Sequence, residues 1–306
     1  MDVDWDDLKT VLALVRAGSL AAAGSALGVN YTTVARRVQR AEAAVGVPLF
    51  ERLAGGYQPT ETGLLVAEHA GDMEARENAL LRRLQGRDQT LSGPLVITAP
   101  QLLIGPMLAP VLDRFSTLHP DVSVKIRATN DLLNLNRREA DLAIRISRNP
   151  GDTLMGLRLC AQHGASFASP ELAARIAADP QGRIDWIVYE FSPQVPKKAL
   201  ELYPNSRVRM VFDDMVAMLG AARAGLGVVR MPLFLGRSTP GLVQVPMLPP
   251  QPYVDIWVVG HPDVWRSAKV TAFRDLLVPQ FRKMRHLFVA ETGSEETEQV
   301  HCETNA

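Results

Sequence analysis

Between Thr60 and about Leu91 the apolar residues keep one spacing. Val66, Ala70, Met73, Glu77, Leu80 and Leu84 recur at intervals of 4, 3, 4, 3 and 4, with Glu77 the charged exception. This is the seam of a heptad helix. About 30 residues of helix extend roughly 45 Å at about 1.5 Å per residue. A helix this long with so narrow a seam is more often a pairing element than a core helix. Val66, Met73, Leu80 and Leu84 are therefore assigned to dimerisation, with packing inside one chain as the alternative. The helix also divides the chain, because the apolar pattern differs on its two sides.

On the N-terminal side the pattern is helical. Asp4 is placed to cap a helix over 4–17, with Asp7 at the capping-box position and Trp5, Leu8, Val11, Leu12 and Val15 on one stripe. Gly18 ends it and Ser19 opens a second helix, whose Leu20, Ala23 and Leu27 face inward before Gly28. Asn30 or Thr32 caps a third helix. Its Val34, Val38, Ala41 and Val45 form an apolar face, while Thr33, Arg36, Arg37 and Arg40 lie on another face. At about 100° per residue the two stripes are roughly 120° apart. VPLFERLAGGYQPT then reads as a β-hairpin around a Gly-Gly turn.

On the C-terminal side, after the hinge SGPL at 92–95, strands and helices alternate, the pattern of an α/β sheet domain. LVITA, VSVKIR and DLAIRI read as strands, with others near 166–168, 186–190, 207–212, 227–231, 242–245 and 253–259. Helices fit 103–118, 131–139, 170–178, 213–225 and 265–286. The last residues, 291–306, are acidic and aperiodic and read as a disordered tail.

Composition narrows the classes. The chain has 306 residues, enough for two or three domains. It carries 33 Lys+Arg against 33 Asp+Glu, so global charge says nothing of nucleic acid and only local clustering informs. The acidic start, MDVDWDDLK, lacks the basic region and apolar run of a secretory signal, so none is expected, and no stretch nears the roughly 18 apolar residues of a membrane span. The two cysteines, Cys160 and Cys302, exclude a disulfide framework and fit a reducing cytoplasm. Cys160 sits in an apolar run and reads as a buried hydrophobe. The chain has no Gly-rich phosphate loop, HExxH, GxSxG or His/Cys metal spacing, so no catalytic residue, metal or cofactor is assigned and the enzyme class is disfavoured.

The ordered pattern AGSL, ALGV, TVxRRVxxxE, GxxLFER and TExG over residues 5–63 strongly resembles the N-terminal domain of LysR-type transcriptional regulators. SGPLVITAP, LHPDVSVKI, ADLAIRI and AARAGLGVVRMP extend the resemblance over about 4–287. It implies an α/β chain with an all-α winged helix-turn-helix at 1–59, a linker helix at 60–91 and a regulatory domain at 92–290. That last domain would be periplasmic-binding-protein-like, with lobe I at about 92–162 plus 263–290 and lobe II at about 163–262. The implied partners are double-stranded DNA, a small-molecule effector of unknown identity, RNA polymerase and further copies of the chain, as a dimer or tetramer on interrupted inverted repeats.

A helix in the major groove presents side chains from its N-terminal half. Asn30, Tyr31, Thr32 and Thr33 stand there. Arg36 is placed for a guanine edge or a phosphate, Arg37 and Arg40 for phosphates, and Arg52 with the backbone at Gly55 and Gly56 for the wing. Relatives commonly carry Gln where this chain has Tyr31, Ser where it has Ala35, and basic residues where it has Gly55 and Gln58. Base preference therefore does not transfer, and the wing is expected to grip weakly.

The resemblance places the effector cleft at strand–helix junctions of both lobes. Pro100, Gln101, Leu102 and Leu103, then Thr129 and Asn130, then Arg145 and Ser147 come from the first lobe. Asp213, Asp214, Met215 and Arg230 come from the second. Relatives often place Ser or Thr at the first junction, suited to a carboxylate. Pro-Gln-Leu-Leu facing two aspartates points instead to a larger, less anionic or cationic ligand, or to none. In the last case the chain is an architectural DNA binder.

Overall fold

The computed structural model describes residues 3–53, 56–87, 89–130, 134–149 and 153–290. The expected backbone contact at Gly55, the 291–306 tail and part of the helix expected over 131–139 lie outside these. The chain divides into two units, residues 1–85 with 136–138, and 86–135 with 139–306.

In the first unit, α1 (Trp5–Ala17), α2 (Leu20–Leu27) and α3 (Tyr31–Val45) precede the antiparallel hairpin β1 (Phe50–Leu53) and β2 (Gly56–Pro59), then α4 (Glu61–Arg87). Short-range signals set the boundaries. Asp4, Ser19 and Asn30 each cap a helix through a side-chain oxygen, and Gly18, Gly28 and Gly46 end the helices in the left-handed region. Asp7 departs from the expectation. It does not form a capping box but is 2% exposed and turned to α3. Val11, Leu14, Ala23, Val34, Val38, Ala41, Leu49 and Phe50 make the core. A Cβ on Gly24 would stand 2.7 Å from the Val29 carbonyl, so α2 and the chain entering α3 meet more closely than any side chain allows. Glu42 closes the structure from α3, its Oε1 accepting from the Leu49 and Phe50 amides at 2.9 and 3.2 Å.

α4 is about 40 Å long at about 1.5 Å per residue and ends four residues before the expected Leu91. Its seam is split. Ala67 and Ala70 pack on Leu12, and Val66 packs on the helical core. Glu77 accepts from Trp5 Nε1 at 3.3 Å and pairs with Lys9 at 2.7 Å, while Glu74 pairs with Arg16 at 2.9 Å. Val66 is thus a packing residue within its own chain, a correction to its dimer assignment. Glu77 is no flaw in a seam, because its partners are on α1. Met73, Leu80 and Leu84 stay exposed.

The second unit begins with β3 (Gly93–Ala99), then α5 (Gln101–Leu103), which runs through a π-type turn into α6 (Ala109–Leu118). β4 (Val122–Ala128), β5 (Leu142–Ile146) and the long β6 (Met155–Ala168) follow, then α7 (Pro170–Ala178) and β7 (Ile184–Tyr189). Next come α8 (Lys197–Leu202), β8 (Ser206–Phe212), α9 (Met215–Arg223), β9 (Val228–Pro232), α10 (Leu233–Arg237) and β10 (Val243–Val245). β11 (Gln251–Gly260), α11 (Pro262–Trp265), α12 (Ala268–Lys283) and α13 (Arg285–Phe288) complete it. In place of the helix expected over 131–139, the described residues hold only a 3-10 turn, Leu135–Arg137.

The nine strands form one sheet in the order β4-β3-β5-β11-β6-β9-β7-β8, with β10 on β6. β3 pairs in parallel with β4 and β5, as helical crossovers require, and β7 pairs in parallel with β8 and β9. β6 and β11 join the two halves. Residues 256–260 of β11 pair with β5, whereas residues 251–253 pair with β6 beside the β9 ladder. The register of β11 against β6 breaks between Tyr253 and Ile256.

Candidate nucleic-acid interface and ligand cleft

The outer face of α3 begins at its cap. Asn30 Oδ1 accepts from the Thr32 amide at 3.2 Å and from its hydroxyl at 3.3 Å, so the cap fixes both side chains. Tyr31 follows at 58% exposure. Thr33 is half-buried. The three arginines differ. Arg37 pairs with Asp6 at 2.9 Å, and Arg40 holds both oxygens of Asp7 at 2.6 and 2.5 Å. Arg36 is exposed and has no ion pair among the described residues. The sequence set all three toward DNA, Arg36 for a base edge or a phosphate and Arg37 and Arg40 for phosphates, but the acids of α1 commit the latter two to the fold. In the hairpin, Arg52 stands opposite Tyr57, its guanidinium 5.7 Å from the ring centre.

The second unit carries two neighbouring cavities. The smaller, about 190 Å³, is lined by Pro100, Leu102, Thr129, Asn130 and Arg145, with Met215 from α9. Five of the expected first-lobe residues are thus brought together. Of the other expected residues, Arg230 lines the neighbouring cavity, and Gln101, Leu103, Ser147, Asp213 and Asp214 line neither. Gln101 Nε2 donates to Asp214 Oδ2 at 2.8 Å, and Asp214 Oδ1 caps α9 by accepting from the Ala217 amide at 2.8 Å. Asp213 is exposed and lines neither cavity. Ser147 is turned to Asn149, donating to its carbonyl at 2.5 Å. The expectation of two acids facing the ligand therefore fails, because the first turn of α9 uses Asp214 as its cap.

Of the residues lining the larger cavity, about 260 Å³, only Met215 and Arg230 were among those expected. Trp186 and Tyr189 of β7, Tyr253 of β11, Met218 of α9 and Arg230 of β9 line it. Tyr189, Met215 and Tyr253 line both cavities and so join them. Arg230 is half-buried. Its Nη2 donates to the carbonyls of Gly164 and Pro249 at 3.2 and 3.3 Å and to Gln251 Oε1 at 3.3 Å. Burial lowers the pKa of both Arg145 and Arg230 from the usual guanidinium value. Burial also pushes the Cys160 thiol up to about 12. Among the described residues, no group of three or more His, Cys, Asp or Glu is placed to hold a metal, and no helix is long and apolar enough to cross a membrane.

Residues 5–64 match the family described as bacterial regulatory helix-turn-helix protein, lysR family, and residues 88–282 match the LysR substrate binding domain. An HTH-type transcriptional regulator of Xanthomonas campestris is 32% identical over 182 residues, 57% of this chain; the match spans about half, 51%, of that relative's length. The probable regulator LtrA of Klebsiella pneumoniae is 24% identical over 292 residues, covering 89% of this chain and 93% of its own. The full-length structure of the Vibrio cholerae virulence activator AphB shares the fold at a TM-score of 0.59 and 20% identity, over 90% of this chain and 99% of that one. With a helix-turn-helix and a two-part α/β domain each matched in turn, this chain belongs to the LysR family of bacterial regulators.

Proposed function

We propose that the chain is a DNA-binding transcriptional regulator, not an enzyme, that works in the cytoplasm and answers to a small-molecule effector in the paired cavities. The observation that carries this reading is the face of α3, where Tyr31, Thr32 and Arg36 are exposed on a capped helix held by α1 and α2. A helix of this kind fits the major groove. Arg52 would add a phosphate contact at the edge of the footprint, while Arg37 and Arg40 would offer phosphates only the donors that Asp6 and Asp7 leave over.

Met73, Leu80 and Leu84 would pair two copies along α4, giving two recognition helices for an inverted repeat. Effector binding would shift the population between two arrangements of the paired copies, and so DNA bending and access of RNA polymerase. A ligand does this only by binding one arrangement better than the other. The lobe division would follow β6 and β11.

A pull-down of genomic fragments on the purified protein, with and without metabolite extract, tests the reading. Enriched inverted repeats whose footprint shifts with extract are expected. No enrichment under either condition refutes it. Enrichment indifferent to extract leaves an architectural DNA binder.

A further inference from the structure

The cavity walls state the chemistry of what they hold. Among the described residues, Arg145 and Arg230 are the charged side chains lining the two cavities, and no acid lines either. The remaining wall is mostly apolar, with Tyr189, Tyr253 and Met215 shared by both cavities and Trp186 and Met218 in the larger one. Two polar atoms of lining residues are buried without partners, Trp186 Nε1 and Arg230 Nη1. Both are donors. A buried donor left unpaired is costly, and a charge-assisted acceptor relieves it best. Arg230 is also preorganised, because its other terminal nitrogen is held by Gly164, Pro249 and Gln251. A cation would meet two positive charges and, among the described residues, no carboxylate on the wall.

We propose that the cleft selects an amphipathic organic anion, with an aromatic or branched apolar body among Trp186, Tyr189, Met218 and Tyr253 and an oxyanion on Arg230. The inference rests on the reading of these cavities as the effector site and gives that site its ligand class. Each cavity is below the roughly 300–1,000 Å³ of a drug-sized pocket, so the ligand is a small metabolite.

The test is calorimetric titration of the full-length protein with four probes of graded charge. 3-Phenylpropionate is the anion, 3-phenylpropionamide its neutral analogue, 3-phenylpropylamine its cation, and propionate the anion without a ring. Arg230→Gln and Met215→Trp, each checked by thermal melting, locate the binding; Met215→Trp fills the junction of the cavities. The expected result is that 3-phenylpropionate binds at least tenfold tighter than the other three, that Arg230→Gln erases its lead over the amide, and that Met215→Trp weakens it. If the amine or amide binds as tightly and Met215→Trp still weakens it, the cleft stands and the anion class falls. If binding ignores both substitutions, the probe sits elsewhere and the effector-site reading falls with the inference. No binding of 3-phenylpropionate at millimolar concentration also overturns the inference.

Discussion

Arg36→Ala separates DNA contact from folding more cleanly than any other change in α3. Arg36 is exposed and unpaired among the described residues, so its loss should move stability by no more than about 0.5 kcal/mol. If it reads a base edge, each copy loses about 1–3 kcal/mol of discrimination. In a dimer two copies act, so the loss is about 2–6 kcal/mol, roughly 30-fold to 10⁴-fold in affinity. If it contacts phosphate, the weakening is uniform across sequences and the log–log salt slope falls by about 1 per copy. Arg37→Ala is the control. It removes the 2.9 Å pair to Asp6, an exposed bridge worth about 0.2–1 kcal/mol, and should disturb folding and binding together. The assay is fluorescence anisotropy on an enriched fragment and a scrambled one, over 50–200 mM KCl, with melting temperatures measured in parallel. Affinity of Arg36→Ala within twofold of the parent on both fragments would refute the placement of α3 in the groove.

Three further outcomes are expected. Gly24→Ala forces a Cβ to 2.7 Å from the Val29 carbonyl and should destabilise the helical unit by about 1–3 kcal/mol, read as a lower melting temperature; an unchanged value means the turn has slack. Leu80→Asp changes a side chain 58% exposed, so it should leave the melting of the monomer intact while sedimentation shows loss of the dimer. A dimer that survives removes α4 from the interface. In a Cys302→Ala background the native protein should resist Ellman's reagent, because burial pushes the Cys160 thiol up to about 12; rapid native labelling would contradict this, and full labelling in guanidinium is the positive control.

What the sequence disclosed was set by the range of the interactions. Caps and helix ends depend on neighbours a few residues away, so Asp4, Ser19, Asn30 and the glycines after each helix were readable directly. Partners across elements were not. Asp7 has the right spacing for a capping box, but Arg40, thirty-three residues on, takes its carboxylate. Glu77 looks like a fault in a heptad until Lys9 and Trp5 are placed beside it. The strand–helix junctions led to Thr129, Asn130 and Arg145. In the larger cavity only Met215 and Arg230 were foreseen, because its other walls are largely strand side chains of β7 and β11 and a residue run at 192–196, which carry no junction signal. The alternation that marks a strand also conceals which of its aromatic residues face an opening. Trp186 and Tyr253 were the hint, as large side chains in strands with a polar group to satisfy.

The clamp between α1 and α3 bears on how such a protein would share a cell with its genome. A bacterial chromosome offers about 10⁶ or more competing non-specific sites, and a regulator whose cations are all free is sequestered by them. Here Asp6 and Asp7 neutralise two of the three arginines of α3. If α3 enters the groove as proposed, backbone attraction would thereby be muted, and discrimination would fall on Arg36 and the neutral side chains beside it. On this reasoning the acidic first helix keeps occupancy of random DNA low, so that few molecules suffice to fill a true operator.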